Sequence, residues 1–274
     1  DAQLGALGEA DVAIVRWFVL CDGRSGVRFG EDGLPEGLAP EVFDDLGVAV
    51  DLAEDHGVML VPVLLDFLWF APAEVVDGVQ LGGHAGVVAS SDGRAALVDR
   101  VFTPLLVEFG QRSGIVAWDI VNEPDWAIEG VGGGWLGDGV SLEAMHDLVS
   151  AATQAVHTET GQLATVGGAS LLSAGSLWSD AGIDFVQVHA YEGLATQTEA
   201  SLVGAGLPVV VGELGTSADH GDLGANTDAL EGLGYRGVWP WSLNADDEAS
   251  ELGVEELAAL AERHARARRG RPVR

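Results

Sequence analysis

The sequence predicts an α/β chain built as a (β/α)8 barrel, and three observations carry that expectation. Short apolar runs alternate with helix-patterned segments along the chain, which implies a parallel sheet. No glycine-rich phosphate turn of the G-x-G-x-x-G or G-x-x-x-x-G-K type follows any of these runs, which argues against an open doubly wound sheet. Polar residues end several of the runs, at the face where parallel barrels carry their chemistry. All 274 residues (1–274) read as one domain, because α/β barrels of about 250 residues fold as single units. Seven strands are legible and a helix comes first, so an eighth strand is expected before Asp1.

Gln3 to Ala10 reads as the end of a helix leading into a strand over Val12 to Leu20. After a glycine-rich loop, Pro40 to His56 has helical apolar spacing at Val42, Phe43, Leu46 and Val50. Val58 to Leu65 is a strand, and Asp66 to Asp92 a long loop marked by Gly78, Gly82, Gly83 and Gly86. Arg94 to Arg112 is a helix closed by Ser113-Gly114. Ile115 to Val121 is apolar enough for a strand buried on both faces; Pro124 stops it, lacking an N–H and restricting the residue before it. A Gly/Trp loop spans Gly132 to Gly139, and Ser141 caps a helix that runs to about Thr160, with Gly161 as its stop. Strands over Leu163–Gly167, Ile183–His189, Leu207–Glu213 and Gly237–Trp241 then alternate with helices over Leu171–Asp180, Ala195–Val203, Asp222–Leu233 and Glu248–Arg268.

The formal charge is −30, and all 13 basic residues are arginine. Several of them crowd a basic tail over 263–274, which leaves the body more acidic still. Such a surface repels nucleic acid and anionic membranes, so neither is expected as a partner. It fits solubility at high salt, and equally a base-composition bias that replaces Lys with Arg. The apolar stretch nearest to a membrane span, Val58 to Phe70, is broken by Pro62 and Asp66, and no N-terminal signal peptide is read. The lone Cys21 excludes an internal disulfide and reads as a core thiol. No H-x-H occurs, His84 reads as a surface residue, and no metal or cofactor is expected. Asp22, Glu31 and Asp32 read as a solvated loop.

The chemistry gathers at the strand ends. Arg16 lies in the first strand, Asp66 ends the next, and Asn122-Glu123 ends the third. His189-Ala190-Tyr191, Glu213 and Trp239/Trp241 end later ones. A carboxylate straight after Val209-Val210-Val211-Gly212 has no packing reason to be there. Two carboxyl groups at one mouth point to glycoside hydrolysis, one holding a proton for the leaving oxygen and the other ionised for attack. A separation of about 5–5.5 Å would mean retention of configuration, and about 6.5–9.5 Å inversion. Tyr191 can hydrogen-bond the nucleophile, Arg16 can keep it ionised, Asn122 can bind a sugar hydroxyl, and Trp241 offers a ring face to a pyranose.

Asn122-Glu123-Pro124, the His189-x-Tyr191 pair, Glu213 after an apolar strand and Trp241-Ser242 after the last strand together resemble glycoside hydrolase family 5. That family comprises clan A retaining β-glycosidases on a (β/α)8 barrel. The resemblance runs in order from Arg16 to Trp241. It implies Glu123 as acid/base and Glu213 as nucleophile, with Arg16, Asn122, His189, Tyr191 and Trp241 as the sugar-binding and supporting shell. One departure is visible: Leu68 stands where the family has a histidine, so Asp66 or Trp69 is expected to take over that contact. Trp69, Trp126 and Trp135 are expected as sugar platforms in loops above the mouth, and Trp17, Trp118 and Trp178 as core. The implied activity is retaining hydrolysis of a β-linked glucan or mannan, oligomeric or polymeric, by a secreted monomer needing no cofactor. The alternative is a carbohydrate-binding protein on the same barrel without turnover.

Overall fold

The computed structural model describes residues 1–131, 136, 139–191, 195–217, 220–243, 250 and 252–269. Trp135, most of the Gly132–Gly139 loop and the end of the basic tail lie outside the described residues. Seven strands form one sheet: β1 (Ile14–Phe18), β2 (Met59–Asp66), β3 (Ala117–Asn122), β4 (Leu163–Gly168), β5 (Val186–Ala190), β6 (Val209–Gly215) and β7 (Val238–Trp241). They pair in chain order and all in parallel, with β1 and β7 at the two margins. The sheet is a nearly closed barrel of the expected (β/α)8 kind.

Burial explains why these runs are strands. Every residue of β3 is buried and every residue of β2 but Met59, as continuous apolar runs between barrel interior and helical coat must be. The marginal strands β1 and β7 are half-buried instead. Helices over Pro40–Asp55 and Leu142–Glu159 bury an apolar stripe against the sheet, including Leu46, Val50, Met145, Leu148 and Val156. Ser141 caps the second of these, its side chain accepting from the Ala144 N–H at 3.1 Å, as the sequence predicts. Trp118 and Trp178 are fully buried, the former donating to the Gln162 side chain.

Several expectations are corrected. The loop before Pro40 contains an antiparallel hairpin, Val27–Phe29 with Pro35–Leu38, and the Asp66–Asp92 loop contains another, Glu74–Val76 with Val79–Leu81. The latter turns at Asp77-Gly78, both with positive φ, which is the Asp-Gly signal for a two-residue hairpin turn. The helix expected from Arg94 starts at Ser91, capped by Ser90, and passes through a π turn at Val98–Phe102 before ending at Phe109. The closing helix starts at Val254 and runs to Arg269. Trp17 is not core. It is 46% exposed, because it sits on a marginal strand and faces a surface groove with Val42 and Leu46. His84 is not a surface residue: its ring stacks on Phe29 and packs against Trp69. Cys21 is half-buried, and burial with the nearby Asp66 and Asp22 carboxylates pushes its thiol up to about 11.

Candidate active site

Glu123 is placed by the way β3 ends. Its own backbone is left-handed (φ 47°, ψ 47°), a conformation that costs a non-glycine residue about 1–3 kcal/mol and marks an over-determined position. Two neighbours impose it. The Glu123 N–H donates to Gly167 O of β4 at 2.6 Å, and Pro124 starts a 3₁₀ turn over Pro124–Ala127. The carboxylate then accepts from His189 Nδ1 at 2.8 Å on Oε1 and from Trp126 Nε1 at 2.9 Å on Oε2. Burial raises the pKa of Glu123, against the opposing pull of the Trp126 hydrogen bond and the Arg16 charge.

Glu213 comes from β6, where the pairing with both β5 and β7 shifts register next to it. Such an irregularity re-aims a side chain, and here it turns the carboxylate inward. Gly212 permits it: a Cβ there would lie 2.3 Å from Gln187 Cγ. Gly212→Ala is therefore expected to displace Gln187 and Glu213 together, and kcat should fall by roughly 10²-fold, the order expected for a displacement of about 1 Å. Steady-state rates beside a melting curve check this.

Glu213 accepts from Arg16 Nη1 at 2.6 Å and from the Tyr191 hydroxyl at 2.5 Å. Burial and the Glu213 charge hold the Tyr191 proton in place by raising its pKa. Arg16 also donates to Asp119 through Nε at 2.9 Å and to Asn122 Oδ1 through Nη2 at 2.7 Å, with its side chain only 5% exposed. Burial alone would lower the Arg16 pKa, but the Asp119 and Glu213 charges raise it, so the guanidinium is a permanent cation. His189 is fully buried, and desolvation takes it down to about 4; at neutral pH it is uncharged and donates from Nδ1.

The carboxylate oxygens of Glu123 and Glu213 and the His189 nitrogen lie within 4.8 Å of one another. Among the described residues this is the group with ligand atoms close enough for a metal ion. A cation there would face the Arg16 guanidinium, already 2.6 Å from Glu213, and compete with the His189–Glu123 hydrogen bond. The donor set suits a hydrogen-bonded pair of carboxyl groups better than a metal.

Most residues expected from the sequence converge here: Arg16, Asn122, Tyr191 and Glu213 are joined by hydrogen bonds, as are Glu123 and His189, and His189 Nδ1 lies 3.3 Å from Glu213 Oε2. Trp241 sits half-buried at the end of β7, edge-on to Phe18, and its peptide to Ser242 is cis. Trp126 is 37% exposed beside Glu123. Asp66 stands one layer back, buried, with Oδ1 accepting from the Leu68 N–H and Oδ2 from Asn122 Nδ2. Burial raises its carboxyl to about 6. It braces Asn122 instead of reaching the cleft. Trp69 is corrected outright: it is 0% exposed, packed against Phe29 and His84, and presents no face to a sugar. Leu68 is part-exposed in the 3₁₀ turn Phe67–Phe70, so neither expected substitute stands in its place. Asp22 is buried and paired with Arg24, apart from the exposed Asp32 turn.

Sequence reasoning missed Asp119, Gln187 and Asp125. Asp119 is fully buried and accepts from Arg16, from Gln187 Nε2 at 2.6 Å and from the Gly167 N–H at 3.1 Å. Asp125, raised to about 6 by burial, accepts from the Ala169 N–H and so ties the turn after Glu123 to the end of β4. The available signal was an acid and an amide inside otherwise apolar strand runs, which must be paired to be buried.

No family model matches the chain. A curated relative, the mannan endo-1,4-beta-mannosidase of Mytilus edulis, is 22% identical over 288 residues, 89% of this chain and 76% of that protein. Among solved structures, the endo-1,4-beta-mannanase of Eisenia fetida superposes with a TM-score of 0.81 at 18% identity, covering 99% of this chain and 84% of that one. The beta-1,4-mannanase of Aplysia kurodai gives 0.74 at 19% identity, covering 88% and 79%. GH5_18 from Streptomyces cattleya, in complex with GlcNAc, gives 0.70 at 17% identity, covering 99% and 75%. The resemblance to glycoside hydrolase family 5 is thus met in these structures, and at such identities what is shared is the fold.

Proposed function

We propose that this chain is a retaining β-glycosidase that cleaves β-1,4-linked mannan or its oligosaccharides by double displacement. One observation carries the reading: carboxylate oxygens of Glu123 and Glu213, at the ends of different strands, lie within 4.8 Å of each other, with Arg16 and Tyr191 bonded to Glu213 and burial raising the pKa of Glu123. That close approach is nearer to the short carboxyl separation of retaining enzymes than to the longer one of inverting enzymes. Glu213, oriented by hydrogen bonds from Arg16 and Tyr191, attacks the anomeric carbon as the bond to the leaving oxygen breaks. Glu123, its pKa raised by burial, gives its proton to that oxygen. In the second step Glu123 takes a proton from water, which attacks the same carbon and releases Glu213. Asn122 is oriented from both ends, by Arg16 and Asp66, to meet a sugar hydroxyl. Trp241 and Trp126 supply ring faces at the mouth.

The mannan-active neighbours support mannan over glucan. A polymeric substrate favours export. The acidic surface is unsuited to nucleic acid, and no described helix is long and apolar enough to cross a membrane.

The test is reducing-end release from mannan, glucomannan, β-glucan and xylan, at low and high salt, for wild type and Glu213→Ala. Release from mannan that vanishes in the variant is the expected result. Release only from β-glucan or xylan would move the substrate class. Polymer binding without release would favour a carbohydrate-binding protein without turnover, a reading that the Leu68 departure from the family pattern keeps specific.

A further inference from the structure

We propose that Gly167 is a positioning residue whose missing side chain sets how deep His189 sits between the two carboxyl groups. This rests on the two-carboxyl reading given above. Gly167 is buried in β4, paired with Asn122 of β3 on one side and Gln187 of β5 on the other. Its φ lies outside the positive range that favours glycine, so backbone conformation gives no reason for a glycine here. Space does. A Cβ at Gly167 would lie 2.8 Å from Arg16 Nη2, 2.8 Å from Gln187 Nε2 and 3.0 Å from His189 Nε2. Three polar side chains, from β1 and β5, thus close over one bare Cα.

The two ends of the His189 ring are held differently. Its Nδ1 is 2.8 Å from Glu123 Oε1 and 3.3 Å from Glu213 Oε2, so the imidazole stands between the acid/base and the nucleophile. Its Nε2 is buried and has no hydrogen-bond partner among the described residues. Hydrogen bonding fixes the Nδ1 end alone, and contact with Gly167 limits the Nε2 end. Gly167 cannot retreat to make room for a side chain of its own. Its N–H donates to Asp119 Oδ1 at 3.1 Å, and its carbonyl accepts from the Glu123 N–H at 2.6 Å. With a methyl there the three nitrogens must yield instead, by about half an ångström, to reach the 3.4 Å of ordinary contact.

The next residue supplies a control. A Cβ at Gly168 would be as crowded, 2.9 Å from the Ala174 methyl, but Ala174 belongs to the short helix Ala174–Trp178 and not to the site. Successive strand residues point to opposite faces, so the two glycines separate crowding in β4 from crowding against His189.

The first measurement is on the wild type labelled with ¹⁵N-histidine. Proton–nitrogen correlation spectra should place the His189 proton on Nδ1 and leave Nε2 bare; a proton on Nε2 would overturn the proposal. Gly167→Ala should then move the His189 Nδ1–H resonance, assigned by its loss in His189→Gln. It should also lower kcat on β-1,4-mannohexaose roughly tenfold, since a misplacement of about 1 Å costs about 10²-fold. Gly168→Ala should leave both the resonance and kcat in place. An unmoved resonance in Gly167→Ala overturns the proposal, as does a moved resonance with kcat unchanged. An equal loss of kcat in the two glycine variants would make Gly167 a purely structural residue and also overturn it. Should Gly167→Ala fail to fold, Gln187→Ser with and without Gly167→Ala asks the same question. The shorter side chain frees room beside the methyl, and His189 still faces it. The spectra need no turnover, so a wild type that cleaves nothing would sink the hydrolase reading and still show whether Gly167 seats the ring.

Discussion

Glu213→Gly, given azide and a dinitrophenyl β-oligomannoside, is expected to produce an α-glycosyl azide, and Glu123→Gly the β-anomer. The two products follow from which face each carboxylate commands. Removing Glu213 opens the face from which the anomeric carbon is attacked, so azide displaces the aryl group once and inverts the centre. Removing Glu123 leaves Glu213 able to form the glycosyl-enzyme, because a dinitrophenolate leaves without a proton. Azide then arrives from the opposite face and restores the β configuration. Without azide, loss of the nucleophile should cost on the order of 10⁶-fold in kcat. Loss of the acid should cost about 10²–10⁴-fold on natural substrates, and less on the activated one. Product stereochemistry by proton NMR checks both. Exchanged anomers would reverse the two assignments, and no azide product from either variant would argue against a covalent intermediate.

Asp119→Ala is expected to be the most destabilising single truncation in the site, by about 3–5 kcal/mol. Asp119 is 0% exposed and takes hydrogen bonds from Arg16, Gln187 and the Gly167 backbone. Truncation leaves three buried donors without their acceptor and leaves the guanidinium balanced by Glu213 alone. Asp119→Asn should be milder but not neutral, because an amide nitrogen must then face one of those same donors. Urea unfolding of both variants, read for midpoint at constant slope, measures the order. A change below about 1 kcal/mol for Asp119→Ala would mean that water reaches the vacated space and replaces the carboxylate.

The catalytic frame was legible because its residues break a local rule. Glu213 after three valines and a glycine, and Asn122-Glu123 before Pro124, are polar groups where strand packing asks for apolar ones. The alternation of strands and helices made the barrel legible in the same way. What stayed hidden depends on contacts distant in sequence. Asp119 lies 103 residues from its Arg16 partner, so nothing local tells a site acid from a misplaced one. Trp69 looked like a loop aromatic because the Asp66–Asp92 segment looked like a loop. The segment folds back as a hairpin and a short helix, and Trp69 becomes part of the packing beneath them. Asp77-Gly78 announced that hairpin, but its flanking valines are exposed and give no alternating burial pattern to extend the signal. Trp17 misled for the opposite reason: its strand has a neighbour on one side in the described sheet, a matter of topology that no window of sequence contains.

The placement of Arg16 has a consequence for how this protein fails. The cation that fastens Glu213, Asn122 and Asp119 to one another is carried by β1, the marginal strand, while its partners stand on β6 and β3. In the described sheet β1 has a neighbour on one side only, and a strand so held opens at lower free energy than one held on both sides. If β1 peels away, the sheet keeps most of its ladder, but Asp119 and Glu213 are left as two buried anions with no countercharge between them. Heat or denaturant would then disarm the enzyme through its rim while the body of the barrel still stood, and inactivation would run ahead of melting.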